Sequence, residues 1–170
     1  MRTYEGIAGE RRMRRHEKDM PQATNYVKIE FPSLAENVKF ARTAVAVFAA
    51  DHFESFTIDE IDEIKVATSE AVSNAIVHGY GHGGGVVRLI VTVEDGALVV
   101  VVEDDGKGIE DVEWAKQPTN TTAPGEHMGL GLVFINEYMT DVTITSRPGK
   151  GTRVRMKKAP ARSATSRRAL

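Results

Sequence analysis

The run Ser69-Glu70-Ala71-Val72-Ser73-Asn74-Ala75-Ile76-Val77-His78-Gly79 carries a carboxylate, an amide and an imidazole at four-residue steps among small and apolar neighbours. On a helix that spacing sets Glu70, Asn74 and His78 along one side. Upstream, Thr57 and Glu60 form a capping-box pattern, and Ile61, Ile64, Ala71, Val72 and Ala75 recur with helical period. The pattern predicts one long helix from about Thr57 to about His78, ended by the glycine-rich stretch from Gly79 to Gly85. Downstream lie Asp104-Asp105-Gly106-Lys107-Gly108 and Gly129-Leu130-Gly131, two places where backbone can approach a ligand closely.

Each of these groups has a chemistry. The amide oxygen of Asn74 suits a magnesium ion that keeps its waters and bridges to phosphates. Glu70, one helical step away, can orient an attacking hydroxyl and accept its proton as general base. Asp104 ends a hydrophobic run, so its carboxylate would be half-buried and short of a donor, which the amino group of adenine would supply. Gly129 and Gly131 open a helix whose free N–H groups can hold phosphates. Taken singly, each has a plainer explanation: a polar stripe facing water, an ordinary Asp-Gly turn, a helix start. Their order within one small domain makes the set point to a nucleotide site.

The rest of the chain supplies the frame. Tyr26–Phe31 alternates Val27, Ile29 and Phe31 with polar residues and predicts a strand. Ser33 with Glu36 repeats the capping box before a helix carrying Leu34, Val38, Ala41, Val45 and Phe48. Val86–Val93 and Leu98–Val102 predict two strands joined at Asp95-Gly96. From Asp105 to about Met128 there is little pattern, as in a lid. A helix over Leu130–Met139 follows, then strands at Val142–Ser146 and Thr152–Met156 around Pro148-Gly149-Lys150-Gly151. The order βααββαββ predicts an α+β, two-layer α/β sandwich, with helices on one face of a mixed, mainly antiparallel sheet.

Composition narrows the class. With 170 residues, 41% apolar and 27% charged, the chain fits one globular domain. A formal charge of -2 argues against direct nucleic-acid binding. The absence of cysteine removes disulfides and thiolate metal sites. No apolar run reaches the roughly 18 residues of a membrane span, which points to a cytoplasmic protein. Met1 to about Asn25, with Arg11, Arg12, Arg14 and Arg15, and Ala159–Leu170 read as flexible polar tails around a domain at 26–158.

The set Glu70, Asn74, Asp104, Gly106, Gly108, Gly129 and Gly131 resembles the ATP-binding fold shared by gyrase, Hsp90, histidine kinases and MutL. From about Lys28 to Lys157 the chain is also similar to the bacterial anti-sigma F factors, serine-protein kinases of sporulating bacteria. This likeness includes Glu36-Asn37, Phe40-Ala41-Arg42, Ser69-Glu70-Ala71-Val72, Asn74-Ala75-Ile76, His78-Gly79-Tyr80, Gln117-Pro118 and Thr121-Thr122. The resemblance implies that Glu70 activates a substrate serine, that Asn74 binds Mg2+, and that Asp104 reads the adenine of ATP. It adds His78 and the glycines to the pocket and implies a supporting hydrogen bond from Thr152. It also implies a homodimer that binds a sporulation sigma factor, with Arg42 at a partner-contact position, and phosphorylates a small anti-anti-sigma protein.

One departure stands out. Where the family usually carries an arginine just before Gly129, this chain has His127-Met128, and histidine reaches less far and is mostly neutral at pH 7. Lys107 is the candidate substitute cation. This keeps open a regulator that binds sigma with ATP but turns over little. Two other enzyme classes fit less well. A metal hydrolase on Glu70, His78 and His82 would need helix through Gly79 and Gly81. A P-loop at Gly149-Lys150-Gly151-Thr152 lacks the required glycine and Lys-Ser/Thr spacing.

Overall fold

The computed structural model describes residues 25–81, 84–115, 117 and 130–161. The elements are β1 (Tyr26–Pro32), α1 (Glu36–His52), α2 (Ile58–Asn74), a π turn (Ala75–Gly79), β2 (Val86–Glu94) and β3 (Ala97–Asp104), followed by α3 (Val112–Ala115), α4 (Gly131–Tyr138), β4 (Asp141–Ser146) and β5 (Thr152–Lys158). The strands form one sheet in the order β1-β2-β3-β5-β4, and every pairing is antiparallel. The α+β sandwich expected from the sequence is what forms, with no parallel pair among the described strands.

The two faces of the sheet differ as strand alternation requires. Leu89 and Val91, Val100 and Val102, and Val154 and Met156 point inward and pack with Ala41, Val45 and Phe48 of α1, Ile64 and Ala71 of α2, and Ile135 of α4. Complete burial of Ile64 and Ile135 contributes about 2 kcal/mol each. The outer face carries ion pairs instead. Glu103 lies between Arg88 and Arg153, and Arg155 reaches Glu94 at 2.7 Å. The β2–β3 hairpin closes at Asp95 (φ 51°) and Gly96 (φ 73°), the left-handed pair expected from the sequence.

The capping box of α2 is present: Thr57 Oγ1 accepts from Glu60 N at 3.2 Å, and Glu60 accepts from Thr57 N at 2.8 Å. That of α1 is not. Ser33 instead bonds across the fold, its N donating to Gly85 O at 2.9 Å and its Oγ accepting from Gly85 N at 3.1 Å. The N-cap position of α1 falls to Ala35, with no side-chain cap.

The far end of α2 also departs from a plain helix. After Asn74 the chain widens into the π turn that carries His78, and Gly81 (φ 59°) follows it. At the other terminus of the domain, the first residues of the expected tail are held. Ala159 N donates to Thr140 Oγ1 at 3.1 Å, and Ala161 N to Glu60 Oε1 at 2.9 Å.

Candidate active site

The cleft opens where the C-terminal end of α2 meets the ends of β3 and β5. Glu70 and Asn74 project from α2 toward the first residue of α4. A Cβ placed on Gly131 would sit 2.6 Å from Glu70 Oε2 and 3.6 Å from Asn74 Nδ2. A side chain there would push the Glu70 carboxylate aside, so the glycine lets α4 start with Glu70 in place.

Asp104 reaches the cleft from the other wall. It continues the inward row Leu98, Val100, Val102 of β3, so strand periodicity turns its carboxylate toward the helices. The side chain is 6% exposed, and Oδ1 accepts from Gly106 N at 2.9 Å. Burial pushes its pKa above the ordinary carboxylate value, opposed by backbone hydrogen bonds from Gly106 and Thr152. A Cβ on Gly79 would meet Asp104 Oδ1 at 2.9 Å, and one on Gly106 would strike the Gly79 carbonyl. Lys107 N donates to Gly79 O at 3.0 Å, fastening the glycine turn to the π turn.

Between these walls lies a cavity of about 560 Å³, the size of a small-molecule site. Glu70, Asn74, His78 and Gly131 line its helical side, and Asp104, Gly108 and Thr152 its sheet side. Gly106 is absent from the lining and serves by packing on Gly79. Gly129 lies outside the described residues, as do His82 and His127. Arg42 is on α1, half-buried and away from the cavity lining.

Three residues that the sequence did not single out for the site hold or extend it. Tyr80 Oη donates to Val86 O at 2.8 Å and accepts from Asp105 N at 2.7 Å, tying the π turn to both β2 and β3. Ser146 Oγ accepts from Ile109 N at 2.8 Å and donates to Gly151 O at 2.9 Å, pinning the start of the lid stretch to the β4–β5 turn. Trp114, on α3, lines the cavity. Tyr80 follows the His78-Gly79 pair directly, which is a sequence signal; Ser146 and Trp114 carry none.

An antiparallel sheet backed by helices, with a polar cleft at the end of α2, is the arrangement of a histidine kinase-like ATPase domain, and that family's pattern matches residues 31–158. The chain is 42% identical over 135 residues to an anti-sigma F factor of Clostridium acetobutylicum, across 79% of this chain and 93% of the relative. It is 43% identical over 141 residues to an anti-sigma F factor of Geobacillus kaustophilus, across 82% and 95%. A histidine kinase domain from a blue-light activated kinase of Erythrobacter litoralis is similar in fold, with a TM-score of 0.53 at 21% identity, over 88% of this chain and 70% of that one. The chain therefore belongs to the anti-sigma F factors, within the histidine kinase-like ATPase family.

Proposed function

We propose that this chain sequesters a sporulation sigma factor and uses magnesium ATP to phosphorylate a serine of its anti-anti-sigma antagonist. The observation that carries this reading is the cavity in which the Glu70 carboxylate, the Asn74 amide and the buried Asp104 carboxylate converge.

The residues fit the nucleotide and its ion. Asp104, buried with a raised pKa, gains most from a donor such as the adenine amino group. Thr152 pairs with Asp104 in the β3–β5 register and would support that edge. Asn74 would hold Mg2+ together with the phosphates. No cluster of three or more His, Cys, Asp or Glu suited to a metal occurs among the described residues, so the phosphates would supply most of the ligands. Bound there, magnesium supplies neutralisation of charge on the transferred phosphoryl group.

In the transfer, the serine oxygen forms a bond to the γ-phosphorus, the bond to the ADP oxygen breaks, and the serine proton passes to Glu70. Gly131 lines the cavity at the start of α4, where free N–H groups of the first turn would take the phosphates. His78 and Lys107 border the cavity, and Lys107 is the described cation that would take the place of the family arginine. The partner surface includes Arg42, and the working unit is a homodimer. The setting is the cytoplasm, where a sigma factor acts. No helix among the described residues is long and apolar enough to cross a membrane.

A second reading, ATP-dependent sigma capture with little turnover, is favoured by His127 at the position before Met128-Gly129. One assay separates the two. With labelled ATP, sigma factor and the antagonist together, a kinase gives magnesium-dependent label on the antagonist. Glu70→Gln would lower the transfer rate by roughly a hundredfold or more while ATP binding persists. Unchanged transfer in Glu70→Gln removes the assigned base, and nucleotide-dependent sigma capture without label supports the second reading.

A further inference from the structure

Trp114 is the only tryptophan of the chain. It lines the cavity yet is 43% exposed, an indole at the rim of an open cleft. The segment that carries it is fixed from both sides of the cleft. Lys107 N is bonded to Gly79 O, Gly149 N to Lys107 O at 2.7 Å, and Ile109 N to Ser146 Oγ at 2.8 Å. The short α3 is then closed by its own turn, with Trp114 N donating to Asp111 Oδ1 at 2.9 Å. The backbone that carries the indole is therefore anchored at the rim by bonds that need no ligand.

Apolar side chains line the same cavity: Ile109 from the same segment, Ile144 from β4, and Val102 and Val154 from β3 and β5. The polar groups beside them are Asp104 and Thr152 on the sheet wall and Glu110 and Asp111 next to the indole's own turn. A purine offers a flat apolar surface and a polar edge, and these walls offer the complements of both. We propose that Trp114 is the outer wall of the base pocket, packing against the nucleobase whose amino group Asp104 receives. This rests on the ATP reading above and adds a base-packing residue to it. Stacking on an aromatic side chain tolerates any base, so Trp114 would set affinity while Asp104 sets the choice of adenine.

The test uses the full-length chain, ADP and the emission of its single tryptophan. ADP is expected to change the emission saturably, with a midpoint equal to the calorimetric dissociation constant. Trp114→Ala is expected to weaken ADP binding about tenfold, with an unchanged circular dichroism spectrum and unfolding midpoint, and Trp114→Phe to restore most of the loss. Calorimetric binding of ADP with unchanged emission, and equal affinity in Trp114→Ala, would overturn the proposal alone. An emission change produced only by a protein partner would overturn it in favour of a docking role for the indole. If ADP gives no heat with the folded wild-type chain, both this proposal and the ATP reading fall.

Discussion

Glu60 and Asp104 are carboxylates with little exposed surface, 7% and 6%, but Asp104 lies deeper in the protein and their surroundings drive them in opposite directions. Glu60 sits at the N-terminal end of α2, and Asp104 beside the C-terminal end. Burial works to raise the pKa of Glu60, but hydrogen bonds from Thr57 and Ala161 and the charge of Lys158 outweigh it and hold the group below its ordinary value. For Asp104, burial prevails over the bonds from Gly106 and Thr152. For Glu60 the donors within the chain more than offset burial, and the group strengthens the fold. For Asp104 the two backbone donors do not offset it, and the proposed adenine amino group would add a further one. A carboxylate that stabilises the fold thus sits at one end of α2, and the carboxylate proposed to bind the base is supplied by β3 beside the other end.

The sharpest way to break this contrast is to neutralise each group in turn. Asp104→Asn is expected to weaken ADP binding about a hundredfold, the scale of a lost charge-assisted hydrogen bond of roughly 1.5–3 kcal/mol. The ligand-free variant should be as stable as the wild type at neutral pH, or more so. A raised folded pKa favours the native state below the ordinary aspartate value of 3.8, and that benefit disappears as pH rises through the folded pKa. An ionised Asp104 is then a burden that the amide removes, and chemical denaturation at pH 7 reads the difference.

Glu60→Gln should show the reverse. Stability falls by about 2 kcal/mol and ADP affinity stays within about twofold. The wild type carries the Glu60 contribution above the ordinary glutamate value of 4.5 and loses it as pH falls through the lowered folded value. The variant should therefore show a flatter stability profile in that acid range, measured by denaturation midpoints from pH 6 downward. Thr57→Ala, which removes the N-cap acceptor and the hydroxyl's own bond to Glu60 Oε2 at 3.0 Å, is expected to cost about 1 kcal/mol with no effect on nucleotide. Should Glu60→Gln weaken ADP as much as Asp104→Asn, the two ends of α2 would not be separable.

How much of this is legible in the sequence follows the range of each interaction. The Thr57–Glu60 box and the Asp95-Gly96 turn are local, and both form as their residues suggest. Ser33 has the same local pattern as Thr57, but Gly85, 52 residues away in sequence, takes its hydroxyl, and no short-range pattern contains that competitor. Glu60 is legible as a cap and not as the acceptor for Ala161, for the same reason. Glu70 and Asn74 fall on the cavity because helical spacing is regular up to Asn74. The π turn beyond it, which carries His78, breaks that regular spacing, and no periodic pattern in the sequence announces it. The lid stretch shows no pattern in sequence, which conceals α3: four residues are too few to display a helical period, and nothing around Trp114 marks it.

Titration calorimetry of the folded full-length chain with ADP and magnesium, wild type beside Asp104→Asn, tests the central assignment most directly. Saturable binding of one nucleotide per chain in the wild type, reduced about a hundredfold in a variant of equal or greater stability, is the predicted result. Absence of heat at millimolar ADP in folded wild type, or equal binding by both proteins, would contradict it.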